Sequence, residues 1–80
     1  VVKYQLARLY LATRQLERSN FYFSLLERDV EPSAETLWLG LRIARAQGDT
    51  QAERGYSEQL RRRFPNSNEA SLLRRGAFDE

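Results

Sequence analysis

The sequence predicts an all-α fold: antiparallel helix pairs in a right-handed stack, with a shorter helix capping the C-terminal end. Three observations carry this expectation. Apolar residues recur at helical spacing in Leu16, Ser19, Phe23, Leu26 and Val30, and again in Ala52, Tyr56, Leu60 and Phe64. The two prolines, Pro32 and Pro65, stand 33 residues apart. Sliding the chain by that interval lays Leu6 on Leu39, Ala7 on Gly40, Tyr10 on Ile43, Ser19 on Ala52 and Phe23 on Tyr56. Matched size and character at a fixed interval is the signature of stacked helical units.

The first helix is expected over residues 2–13 and its partner over 15–29. The second pair is expected over 34–47 and 50–63, and a fifth helix over 69–75. The chain thus divides into a first helix pair (1–32), a second pair (33–65) and a capping helix with its tail (66–80). Each boundary has a physical cause. Ser33 follows a proline and precedes a helical pattern, so its hydroxyl suits an N-cap. Gly48 can end a helix in the left-handed conformation, and Asp49 can start the next. Arg61, Arg62 and Arg63 place positive charge in a last turn, where the helix dipole favours it. Asn66 and Glu69 have the spacing of a capping box. Leu37, Trp38, Leu39, Leu41, Ile43 and Ala44 wrap most of one helix, which predicts burial on several sides. Gly40 and Gly55 read as close-approach points between helices, since interior glycine costs roughly 1 kcal/mol against alanine.

Composition narrows the function. The 80 residues contain no cysteine and no histidine, which removes thiolate chemistry, the commonest general base and the commonest metal ligand. Net charge is +2 and twelve of the thirteen cations are arginine, so a local basic patch is available but a molecule-wide basic field is not. No apolar run is long enough to span a bilayer. The opening "VVKYQLARLY" lacks a methionine and reads as the interior of a helix, so the chain is expected to be a piece of a longer protein. Catalysis by Glu27, Asp29 and Glu31 would need a cleft that nothing in the pattern supplies, and a loop is the simpler account. No phosphate loop, serine elbow or metal spacing is present. Trp38 reads as a core residue. Arg61–Arg63 reads as a solvated helix end, with a nucleic-acid-binding face as the alternative.

A helix–turn–helix unit of this length, with Leu39–Gly40, Ala52, Tyr56 and Pro65, resembles the tetratricopeptide repeat. Thr36 stands where that repeat has tryptophan, and the step from Gly48 to Ala52 is one residue short. Residues 33–73 are further similar to the C-terminal repeats of the type IV pilus biogenesis proteins called PilF or PilW. The likeness rests on "LWLGLRIAR", on "GD" followed by Ala52 and Tyr56, and on "QLRRRFPNSNEA", and extends to the tail "RRGAFDE". The resemblance implies a non-enzymatic protein-interaction scaffold, a pilotin that assists the outer-membrane secretin from the periplasmic face of that membrane. It implies a lipid anchor on an N-terminal cysteine that this chain does not contain. The expected partners are the secretin or another pilus component, with no cofactor, no metal, no small-molecule substrate and no nucleic acid. A generic tetratricopeptide adaptor of another pathway is the alternative.

In such folds the first helix of each pair lines a concave groove. On this register the groove residues are Tyr4, Arg8 and Leu11, then Leu37, Leu41 and Arg45. Apolar anchors flanked by arginine suit an extended or helical peptide. Coverage of Leu37 and Leu41 by neighbouring helices is the alternative reading of those two positions. The first helix is expected to lack an upstream neighbour, so self-association through its open face is expected as well.

Overall fold

The computed structural model of the protein describes residues 2–76, and among them every regular element is a helix: α1 (Val2–Ala12), α2 (Leu16–Asp29), α3 (Ala34–Gln47), α4 (Thr50–Arg63) and α5 (Asn68–Arg75). The expected bounds of α3 and α4 are reproduced, and the other three shift by a residue at an end. The chain divides into two compact units between Pro32 and Ser33, so the capping helix belongs with the second pair. Ala77–Glu80, the end of the "RRGAFDE" tail, lies outside the described residues.

In the first unit α1 and α2 form an antiparallel hairpin. Two small residues meet between them: Ala7 and Ser19 are both 0% exposed, and the Ser19 Oγ donates to the Ala7 carbonyl at 2.7 Å. That bond satisfies a hydroxyl that would otherwise be costly to bury. Phe23 and Leu26 complete the buried face of α2. Along one flank Lys3 pairs with Asp29, and the Tyr10 and Tyr22 rings stack at 5.6 Å. Val30, read as the end of the apolar stripe, is 44% exposed. It caps α2 with extended backbone (φ −132°, ψ 152°), which carries its side chain off the helical face.

In the second unit α3 is the central element. Leu37, Trp38, Leu39, Gly40, Leu41, Ile43 and Ala44 are all buried, as its apolar circumference predicts. Leu37, Trp38 and Leu41 share a cluster with Leu60 of α4 and Ala70 of α5; Tyr56, Phe64, Leu72 and Leu73 pack against it. Ser33 caps α3, accepting from the Thr36 amide, while Thr36 reciprocates at the Ser33 amide. Asp49 caps α4 by accepting from the Ala52 amide. The cap of α5 is Ser67, not Asn66: its hydroxyl accepts from the Ala70 amide at 3.1 Å and donates to the Phe64 carbonyl at 2.8 Å. Both residues are good N-caps, and the second bond available to Ser67 anchors it to the end of α4.

The ends of the helices repeat at 34 residues rather than 33. Arg14 and Gly48 are the left-handed residues that close the two hairpins (φ 63° and 76°). In each turn the next amide reaches back five residues, Gln15 to the Tyr10 carbonyl and Asp49 to the Ala44 carbonyl, as in a Schellman motif. Val30 and Phe64 cap α2 and α4, and Ser33 and Ser67 cap α3 and α5, again 34 apart. The linkers 30–33 and 64–67 are equally long, but proline is third in one and second in the other. The interval between prolines is therefore one residue short of the interval between caps.

Gly55, read as a close-approach point, is exposed, and a Cβ built there meets no atom within 4 Å. Gly55→Ala should therefore raise stability by about 1 kcal/mol, the helix-propensity difference alone. Arg14 carries the strain of a left-handed residue with a Cβ, a penalty of about 1–2 kcal/mol partly offset in glycine by unfolded-state entropy. Arg14→Gly should raise stability by about 0.5–1 kcal/mol. Urea denaturation of each variant checks both, and a loss at position 55 would mean that its face is covered.

Candidate partner-binding surface

The six groove residues separate by burial into anchors of the core and surface groups. In the first unit Tyr4 is half-buried and Arg8 is exposed. They lie four apart on α1, and the Arg8 guanidinium carbon sits 5.8 Å from the centre of the Tyr4 ring. An exposed cation–π contact of this kind contributes about 0.5–1 kcal/mol. Leu11 points inward and is 8% exposed.

In the second unit Leu37 and Leu41 are 4% and 0% exposed. They do not face solvent, because α5 lays Ala70, Leu72 and Leu73 against the cluster they belong to. The expectation that they are open anchors is corrected by that coverage. Arg45 is exposed one turn further along α3, and its Nη1 donates to the Glu53 carboxylate of α4 at 3.0 Å. A surface pair of this type is worth about 0–1 kcal/mol.

The other residues singled out in the sequence fall as follows. Trp38 is 6% exposed, in the core. Arg61, Arg62 and Arg63 are exposed in the last turn of α4. Glu27, Asp29 and Glu31 are exposed, and Asp29 pairs with Lys3. An open depression of about 430 Å³ runs along α4, lined by Thr50, Glu53, Arg54, Ser57, Glu58 and Arg61. Its lining alternates in charge and offers no convergent set of donors. Among the described residues no group of three or more His, Cys, Asp or Glu could hold a metal ion, and no helix is long and apolar enough to cross a membrane.

The hairpin of the first unit carries an aromatic surface that the pattern of the sequence did not single out. Phe21, 59% exposed, meets the edge of Tyr22 at 5.2 Å, and Tyr22 stacks on Tyr10. Arg18 lies 5.8 Å from the centre of the Tyr10 ring. The run Phe21-Tyr22-Phe23 held a signal for it: on a helix three consecutive residues cannot share one buried face, and Phe23 takes the core position.

Comparison with protein-family models, curated proteins and solved structures gives no match.

The division between core and surface is testable. Leu41→Ala should cost about 2–5 kcal/mol, the range for deleting a buried leucine. Arg8→Ala and Arg45→Ala should each cost no more than about 1 kcal/mol. Chemical denaturation of the three variants reads the contrast, and a cost below about 1 kcal/mol at Leu41 would return that residue to the list of surface groups.

Proposed function

We propose that this chain is a non-enzymatic protein-interaction scaffold of tetratricopeptide type, stacked as a right-handed α-solenoid, and that it works in type IV pilus biogenesis. Its role there is to assist assembly or localisation of the outer-membrane secretin, from the periplasmic face of that membrane. The carrying observation is the recurrence of turns and caps at 34 residues: Arg14 with Gly48, Val30 with Phe64, Ser33 with Ser67. That interval is the length of a tetratricopeptide unit. The antiparallel hairpin, the buried and hydrogen-bonded small residues Ala7 and Ser19, and a short fifth helix are consistent with the same reading. The pilus assignment is supported by the likeness of residues 33–73 to the PilF/PilW pilotins.

A scaffold of this kind recognises its partner through surface groups. Arg8 beside Tyr4 and Arg45 beside Glu53 are the exposed cations of the expected groove. Purified secretin immobilised on a sensor should bind the 80-residue chain, and Arg8→Ala with Arg45→Ala should weaken that binding by about tenfold, equal to about 1.4 kcal/mol. Binding that is unchanged in the double variant would move the contact off these two residues. No binding by the chain would remove the pilus assignment and leave the helical-repeat scaffold to another pathway. Binding that falls steeply with salt and is competed by RNA would instead favour the arginine-rich face as a nucleic-acid surface.

A further inference from the structure

We propose that one flank of the α1–α2 hairpin is a dimerisation face, on which a second copy of this chain packs antiparallel about a two-fold axis. The exposed large apolar side chains among the described residues, Val2, Leu9, Phe21 and Val30, all belong to the first unit. Three of them share the flank. Val2, Leu6 and Leu9 stand at steps of four and three along α1 and form one stripe. On α2 the steps from Arg18 to Phe21, Tyr22 and Leu25 lay a second stripe alongside. Contacts across the hairpin join the two. Tyr10 stacks on Tyr22, Arg18 lies over the Tyr10 ring, and Lys3 pairs with Asp29 at the open end. Phe21, 59% exposed, extends the stacked pair by meeting the edge of Tyr22 at 5.2 Å.

The second unit shows the same face of the equivalent helix out of solvent. Counted back from the left-handed turn residues Arg14 and Gly48, Leu6, Leu9 and Tyr10 correspond to Gly40, Ile43 and Ala44 of α3. Those three are buried, Ile43 to 2%, whereas Leu9 is 55% exposed. The apolar stripe of α1 is thus a surface of the kind that a further helix covers. The charges at its ends point to a second copy as that cover. Arg18 stands at the turn end of the flank and Asp29 at the open end. Asp29 uses Oδ2 for Lys3, and its side chain is still 52% exposed. Packing two copies in parallel brings Arg18 against Arg18. Antiparallel packing turns the Arg18 of each copy toward the Asp29 of the other and sets Leu6, Leu9 and Phe21 between them. Such a pairing uses the face of both copies and closes, so association stops at the dimer. It does not depend on the pilus reading.

Sedimentation equilibrium of the 80-residue chain should show a monomer–dimer equilibrium with a Kd of about 10 μM, in keeping with a small face. Leu9→Asp and Phe21→Asp each alter an exposed side chain, so both variants should keep their far-ultraviolet circular dichroism. Each should weaken dimerisation about a hundredfold. Arg18→Asp and Asp29→Arg set like charges against each other in their own dimers, so each alone should be monomeric at about 10 μM. Mixed in equal amounts they should pair again, because the heterodimer restores both opposite-charge contacts with the signs exchanged. An unaltered chain that stays monomeric at about 1 mM overturns the proposal and leaves the flank to a helix pair outside these residues. A dimer indifferent to both aspartate substitutions places the contact elsewhere and also overturns it. A mixture of the two charge variants that remains monomeric rules out the antiparallel pairing.

Discussion

The second unit depends on the burial of one helix. α3 places seven residues out of solvent in a run of eight, from Leu37 to Ala44. A helix with so little polar surface is stable only while other elements enclose it. α4 and α5 answer that demand from the same unit, through Leu60 and Ala70. The demand is uneven, since α4 matches α3 in length and α5 is little over half as long. The first unit poses no such problem, because α1 buries only Ala7 and Leu11 and keeps its charged residues at the rim.

The second organising constraint is the turn. Each hairpin must reverse in two or three residues, and the backbone solution in both is one left-handed residue followed by a reach-back amide. Glycine meets that demand without strain at position 48, while arginine meets it at position 14 against the steric preference of its Cβ. The same geometry from two different residues shows that packing of the flanking helices sets the turn. Residue choice adjusts only its cost.

Much of this was legible in the sequence, and the gaps have identifiable causes. Gly48-Asp49 and Ser33 marked the ends of α3 and α4 because each offers a backbone group or hydroxyl that few other residues could supply. The cap of α5 was not fixed, since Asn66, Ser67 and Asn68 are three consecutive candidates. The repeat length was one residue short because proline tolerates two positions in a four-residue linker, whereas caps tolerate one. Gly55 illustrates the limit of propensity: a residue that costs stability invites a packing explanation, and here none exists. For the candidate surface, register placed Arg8 and Arg45 correctly outside. It left open whether Leu37 and Leu41 are anchors or are covered, because coverage depends on a helix about thirty residues downstream, and the structure buries both. The scaffold part of the proposed function rests on the recurrence of turns and caps, and the pilus part on the likeness of residues 33–73 alone.

One residue gives the molecule a built-in optical label. Trp38 is the sole tryptophan, and it lies in the core of the second unit at 6% exposure. Its emission therefore reports the state of α3 and of the α4 and α5 residues clustered with it. The stacked Tyr10–Tyr22 pair adds a tyrosine contribution from the first unit to the aromatic circular dichroism, beside those of Trp38 and Tyr56 in the second. Tryptophan emission, excited at the red edge where tyrosine does not absorb, follows the second unit through a melt without any added dye.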